Sequence, residues 1–200
     1  MIKLILIRHP QTNWNKTERY LGRTDIGLNQ KGKKQARAIG RYLKKEKITA
    51  IYSSDLSRAL TLAALLAKQH GLASKKDKRL REIDFGFWEG LTFSQIQKKY
   101  PVIVKKYLNN PLKTTIPGAE SFLNFKKRVS RIFGEILKAK KGTVVVVSHG
   151  GVNRLIICRL GCLPASYFLR IKQDLGAINI FEIYERTNII SKINQIVWEN

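Results

Sequence analysis

Two short runs leave this chain little freedom in its fold. Ile2-Lys3-Leu4-Ile5-Leu6-Ile7-Arg8 and Thr143-Val144-Val145-Val146-Val147 are almost continuously apolar. A strand with one face in water alternates polar and apolar side chains, whereas a continuous run is a strand covered on both faces. Such strands lie in sheets packed between helices, and the intervening sequence has the helical period this requires. In Gly32–Glu46, Ala36, Ile39 and Leu43 line one side while Lys33, Lys34, Arg37, Arg41 and Lys44 face away. Ile48–Ser53 reads as another strand and Leu56–His70 as an Ala/Leu-rich helix closed by Gly71.

Further on, Ser121–Lys140 repeats Phe122, Phe125, Val129, Ile132, Phe133 and Ile136 at helical spacing. Gly150–Leu160 is a helix stopped by Gly161 and Pro164. Ala177–Tyr184 and Asn188–Ile193 suit a hairpin around Glu185-Arg186. Only Lys75–Pro117 is irregular, with an aromatic loop (Phe85, Phe87, Trp88) and one or two short helices ending near Pro101 and Pro111. Alternating strands and helices specify an α/β protein, a three-layer α/β/α sandwich with a largely parallel central sheet. At 200 residues a single domain, 1–200, is expected.

Charge is the compositional outlier: 38 Lys+Arg against 14 Asp+Glu, a net +24. That favours an anionic partner, whether nucleic acid, membrane surface or phosphorylated metabolite, without choosing among them. The lysine-rich stretches Lys31–Lys47 and Lys126–Lys141 fall on the outer faces of amphipathic helices and read as solvated surface. Two cysteines, Cys158 and Cys162, are too few for a disulfide framework or zinc ribbon. They read as buried or half-buried thiols in a reducing compartment. The N-terminal apolar run is too short for a signal peptide or spanning helix, so a soluble, cytoplasmic protein is expected.

In parallel sheets, ligands bind at the carboxyl ends of the strands. After the first strand stand Arg8, His9 and Pro10; after the second, Ser53-Ser54-Asp55 with Arg58; after the Val144–Val147 run, Ser148-His149-Gly150-Gly151. Two of the three histidines and two arginines thus meet on one rim, a pocket for a dianion. The planar forks of Arg8 and Arg58 suit phosphoryl oxygens. The Gly150-Gly151 helix start adds N–H groups and a positive dipole end. A neutral imidazole there can act as nucleophile, kept uncharged by the neighbouring guanidinium groups. Glu82 is the candidate proton donor to the leaving alcohol, in surroundings expected to be apolar.

The less demanding readings are structural. His70 closes a helix, where a cation suits the dipole. Trp88 reads as packing, Glu120 as the cap of the helix beginning at Ser121, Asp55 as a helix cap, and Asp84 as an exposed carboxylate.

Taken in order, these pieces resemble the histidine phosphatase superfamily, with its phosphoglycerate-mutase-like fold. The matching segments are Arg8-His9-Pro10-Gln11-Thr12-Asn13-Trp14-Asn15, Tyr20-Leu21-Gly22-Arg23-Thr24-Asp25, Leu28-Asn29-Gln30-Lys31-Gly32, and Ser53-Ser54-Asp55-Leu56-Ser57-Arg58-Ala59 with Thr61 and Ala63. Glu82 with Phe85-Gly86-Phe87-Trp88-Glu89-Gly90, Pro117-Gly118-Ala119-Glu120-Ser121, and Ser148-His149-Gly150-Gly151-Val152 with Arg154 complete them. The resemblance implies His9 as the phosphorylated nucleophile, Glu82 as proton donor, and Arg8, Arg58 and His149 as the phosphate pocket. Asn15, Gly22 and Gly150 are implied as further substrate contacts. It implies neither a metal nor another cofactor. Pro10 departs from the Gly usual after the histidine, and Ala119 from a second Gly.

The function implied is metal-independent hydrolysis of a small phosphorylated metabolite through a phosphohistidine. The motif style is similar to α-ribazole phosphatases, making α-ribazole 5′-phosphate a candidate. Phosphoserine phosphatases are the alternative, although that type often has His where this chain has Phe85. A bisphosphoglycerate-dependent mutase is a further alternative, disfavoured by the short Gly90–Pro117 segment. An inactive anionic-ligand or nucleic-acid binder is the distant reading, since no helix-turn-helix, RNA-recognition aromatic pair or zinc module is visible. No nucleic-acid or membrane partner is expected, and the chain is read as a monomer or homodimer.

Overall fold

A computed structural model describes residues 1–139 and 141–198. The strands are β1 (Ile2–Arg8), β2 (Ile48–Ser53), β3 (Ser74–Lys76), β4 (Gly142–Ser148), β5 (Ile178–Ile183) and β6 (Asn188–Gln195). The helices are α1 (Asn13–Lys16), α2 (Gln30–Leu43), α3 (Ser57–Gln69), α4 (Phe93–Lys99), α5 (Pro101–Asn109), α6 (Phe122–Ala139) and α7 (Gly150–Leu160). The six strands form one sheet in the order β3-β2-β4-β1-β5-β6. The first four in that order are mutually parallel; β5 runs antiparallel to β1, and β6 antiparallel to β5 as the expected hairpin.

The two apolar runs become the central neighbours β1 and β4, and the pleat sorts their side chains. Leu4, Leu6, Val144 and Val146 meet Phe125, Phe133 and Ile156 of α6 and α7. On the other face, Ile5, Ile7, Val145 and Val147 meet Ile39, Leu43, Leu62 and Leu66 of α2 and α3. Each such side chain contributes about 1.5–3 kcal/mol by leaving water, which fixes the three-layer sandwich expected from the sequence.

Most element ends fall within two or three residues of expectation. Asn29 caps α2 by accepting from the Gly32 N–H at 2.8 Å, so that helix starts before Gly32. Lys140, the expected end of α6, lies outside the described residues. Pro101 opens α5 rather than closing α4, because proline suits a first helical turn. The short strand β3 is polar and pairs only along β2, so no hydrophobic pattern announces it. Trp88 is fully buried with Ile96, Val104 and Ile116 in a third cluster beneath α4 and α5, which bears out its packing role.

Cys158 is buried, but Cys162 is exposed, correcting the expectation for that thiol. Helix α7 ends at Leu160, so Cys162 falls on the turn beyond it, not on the inner face of the helix. Among the described residues no helix is long and apolar enough to cross a membrane.

Candidate active site

Strand register assembles the site. Arg8 pairs with Ser148 across β1 and β4, so the residues that follow, His9 and His149, leave the sheet side by side. The His9 N–H donates to the Ser148 carbonyl at 2.9 Å, and the two imidazole centroids are 5.1 Å apart. His9 is only 3% exposed. Its Nδ1 lies 2.7 Å from the Pro10 carbonyl. A carbonyl only accepts, so Nδ1 carries the proton and Nε2 keeps its lone pair for the cavity. The missing N–H of Pro10 therefore costs the imidazole nothing, since His9 uses the carbonyl.

His149 is fully buried, and neither of its ring nitrogens has a hydrogen-bond partner within the protein. Burial, followed by the charges of Arg58 and Arg8, holds His9 well below the usual histidine range. Burial and Arg58, then His9 and Arg8, do the same for His149. Both imidazoles are neutral at physiological pH. Burial also lowers Arg8 and Arg58 to about 10, partly offset by Glu82, so both remain cations. Arg8 donates to the Gln173 carbonyl at 2.5 Å. Arg58 is fully buried, with its two terminal nitrogens donating to the Thr24 and Gly22 carbonyls at 2.7 Å each. Its fork is thus partly committed to holding the 22–24 loop.

That loop is organised by Glu89. The Glu89 carboxylate accepts from the N–H groups of Arg23 and Thr24 at 2.8 Å, from Phe85 N–H at 3.1 Å, and from the Thr24 hydroxyl. Gly22 has φ +51°, and a Cβ there would come within 1.8 Å of Glu89 Oε1. Only glycine serves there. In the sequence Glu89 stands only within the matching Phe85–Gly90 segment; its one signal is a carboxylate directly after an aromatic run. Asn15 lines the cavity, while its side-chain amide oxygen accepts from Thr12 N–H (3.1 Å) and the Thr12 hydroxyl (2.9 Å), completing the capping box that Thr12 opens on α1.

Glu82 stands at the start of α7, where Gly151 N–H donates to its two oxygens at 3.1 and 3.0 Å and Ile83 N–H adds a 3.0 Å bond. Its surroundings are therefore mixed, with Phe85 beside backbone donors, and not simply apolar. Gly151, rather than Gly150, makes this contact; Gly150 lies against the Arg8 guanidinium, where an added Cβ would sit 3.5 Å away. Arg128 fixes the approach to Glu82 by donating to the carbonyls of Arg79, Arg81 and Glu82 at 2.7–2.8 Å.

Several carboxylates differ from their sequence reading. Asp55 is not a cap: it pairs with Arg81 at 2.7 and 2.6 Å, and Asp25 caps α3 through Ser57 instead. Glu120 pairs with Arg128 and Arg23, while Ser121 itself accepts from Asn124 N–H to start α6. Asp84 is partly buried, accepting from Gly86 N–H at 2.8 Å and facing Arg23 at 3.6 Å.

Arg8, His9, Asn15, Gly22, Arg58, Glu82 and Gly150 line a cavity of about 300 Å³. His149 lies beneath it against His9. A second cavity of about 210 Å³ shares Tyr20, Glu82, Phe85 and Arg154 with the first. Sequence reasoning gave Arg154 no role, although its spacing, one helical turn after Gly150, aims both at one face. Among the described residues no three His, Cys, Asp or Glu side chains gather as a metal set.

A parallel sheet that delivers a neutral imidazole and two guanidinium groups to one cavity, with a second neutral imidazole beneath it, is the frame of a phosphoryl-handling α/β protein. The histidine phosphatase superfamily (branch 1) matches residues 4–196, and the chain belongs to it. It is 35% identical to Phosphoserine phosphatase 1 of Hydrogenobacter thermophilus over 195 residues, 97% of this chain and 92% of that one. Its fold superposes on the α-ribazole phosphatase of Shigella flexneri with TM-score 0.90 and 26% identity, covering 99% and 100% of the two chains. A phosphoserine phosphatase mutant from Entamoeba histolytica in complex with phosphoserine gives TM-score 0.86 and 28% identity, covering 98% of each chain. The sheet is that of the phosphoglycerate-mutase-like fold, and the chain stands among phosphatases.

Proposed function

We propose that this protein, as one domain over residues 1–200, hydrolyses a small phosphomonoester in the cytoplasm without a metal, through a phosphohistidine on His9. The observation that carries the reading is the Nδ1 bond from His9 to Pro10, which leaves Nε2 as the lone pair facing a cationic cavity. In the first step Nε2 attacks phosphorus, a P–N bond forms and the P–O bond to the alcohol breaks. The Glu82 carboxyl protonates the departing oxygen, so the alcohol leaves neutral. In the second step the Glu82 carboxylate takes a proton from water, whose oxygen bonds to phosphorus as the P–N bond breaks. Inorganic phosphate and neutral His9 are regenerated.

Arg8, Arg58 and a His149 N–H hold the phosphoryl oxygens, with Asn15, Gly22 and Gly150 around them. Similarity to the Shigella flexneri enzyme supports α-ribazole 5′-phosphate as substrate. Similarity to the Hydrogenobacter thermophilus enzyme supports phosphoserine as the second reading. The test is a comparison of kcat/KM for both esters and for 3-phosphoglycerate, with and without chelator and with added 2,3-bisphosphoglycerate. Hydrolysis indifferent to chelator is expected; phosphoryl return to a bound product would replace hydrolysis with a mutase reaction.

A further inference from the structure

We propose that the groove between α2 and the segment after β6 is a second anion site, one that takes a polyphosphate chain and is tied to the loop carrying His9. The groove encloses about 660 Å³, within the range of small-molecule sites. Lys31, Lys34, Gln35 and Arg41 stand at helical spacing on the face of α2 that forms one wall, and Val197 and Trp198 line the other. Lys31 Nζ lies 5.6 Å from the Trp198 ring centroid. No described carboxylate lines the groove, so the three cations face no counter-ion there. Lys31 and Arg41 are about 15 Å apart along the helix axis. That spread suits a row of anionic charges better than a single phosphate.

Gln35 separates this groove from an ordinary solvated lysine face. It is 2% exposed, and its Oε1 accepts the Gln11 N–H at 2.9 Å. That bond fixes the orientation of the amide, because only the oxygen can accept. Nε2 is therefore a buried donor, and it has no partner among the described residues. Buried donors are nearly always satisfied, and a phosphate oxygen in the groove is an acceptor that would satisfy this one. Both walls also reach the loop that carries His9. Gln35 holds Gln11, which follows His9 by two residues. Trp198 packs on Gly176, where a Cβ would come within 2.9 Å of the indole Nε1, and the Gly176 N–H donates to the His9 carbonyl at 3.2 Å. An anion that fixes Gln35 thus steadies that loop.

Titration calorimetry with tripolyphosphate tests the site, with orthovanadate present to fill the catalytic pocket. Tripolyphosphate should bind at least about tenfold more tightly than inorganic phosphate. The same titration with adenosine triphosphate distinguishes a nucleotide's chain from an inorganic one, and binding of either supports the site. Lys34→Ala combined with Arg41→Ala should weaken binding about 100-fold, the scale of two charged contacts, and leave p-nitrophenyl phosphate hydrolysis unchanged. Lys33→Ala combined with Arg37→Ala removes the same charge from residues of α2 that do not line the groove, and should cost no more than about threefold. Gln35→Glu keeps the acceptor for Gln11 but replaces the free donor with an oxygen that repels phosphate, and it should abolish binding. In the wild type, tripolyphosphate should slow amide exchange at Gln11 about tenfold. Equal losses in the two double variants would reduce the effect to net charge and overturn the proposal. Undiminished binding to Gln35→Glu, or unchanged exchange at Gln11, would overturn it as well. Binding that requires removal of Glu199 and Asn200 would assign the groove to the chain's own end, against the proposal. Binding and exchange need no turnover, so their outcome is independent of the phosphohistidine reading.

Discussion

Gly151 donates its backbone N–H to both carboxyl oxygens of Glu82, at 3.1 and 3.0 Å, and a Cβ at Gly151 would come within 2.3 Å of Glu82 Oε1. The glycine thus sets where the proposed proton donor stands. Gly151→Ala should displace Glu82 and lower kcat by roughly 100-fold on alkyl phosphates, the scale of general acid catalysis. p-Nitrophenyl phosphate, whose leaving group needs little protonation, should lose far less. Equal losses on both substrates would show that the variant damages something other than proton transfer.

Arg128 acts one layer further out. It is largely buried, pairs with Glu120, and ties down the carbonyls leading to Glu82. Its removal leaves Glu120 with Arg23 alone and takes the side-chain donor from three backbone carbonyls, costing about 1–3 kcal/mol for each group left unsatisfied. Arg128→Met should therefore lower the urea midpoint strongly, with unfolding followed by circular dichroism. A midpoint unchanged from wild type would contradict the assigned role.

The two buried imidazoles make stability depend on pH with a defined sign. Both are held well below the ordinary histidine value, by burial first and then chiefly by Arg58. Below about pH 6.5 the unfolded chain takes up protons that the folded chain refuses, so stability falls as pH falls. With two such groups the slope approaches about 2.7 kcal/mol per pH unit until the native values are reached. Urea unfolding at pH 7.5 and pH 5.5 measures it, and His149→Gln should halve the slope. Equal stability at the two pH values would mean that the histidines titrate normally.

The same depression shapes the rate profile. An ordinary imidazole nucleophile would lose about tenfold in activity for each unit below 6.5. Here kcat/KM should stay free of such a histidine limb between pH 7 and 5.5, once substrate ionisation is corrected for.

The net charge of +24 should appear as a salt effect. Raising ionic strength from about 0.01 to 0.15 M shortens the screening length from roughly 30 to 8 Å. kcat/KM for a dianionic ester should fall several-fold, through KM, with kcat unchanged. A salt-independent KM would assign the surface lysines no part in attracting substrate.

How much of this was legible in the sequence depended on whether the signal was local. The bounds of β1, β2 and α7 follow from apolar runs and their stops, because burial on both faces leaves no polar alternation to blur them. The meeting of His9 and His149 follows from strands ending at one edge. By contrast, Asp55, Glu120 and Asp84 each found an arginine or backbone partner in place of the role their sequence neighbours suggested. Such pairings depend on which loops the fold brings together, as Arg23 and Glu120 show, and no periodicity carries that information. Glu82 was found by its place beside an aromatic loop. One of its backbone donors is the adjacent Ile83, but the other, Gly151, comes sixty-nine residues later.

The most direct measurement is chemical trapping of the covalent intermediate. Enzyme mixed with ³²P-labelled substrate and quenched in alkali within milliseconds should carry label as a base-stable, acid-labile phosphoramidate. Peptide mapping should place it on His9, and His9→Ala should carry none and hydrolyse no ester. Label on another residue, or full activity in His9→Ala, would contradict the nucleophile assigned here.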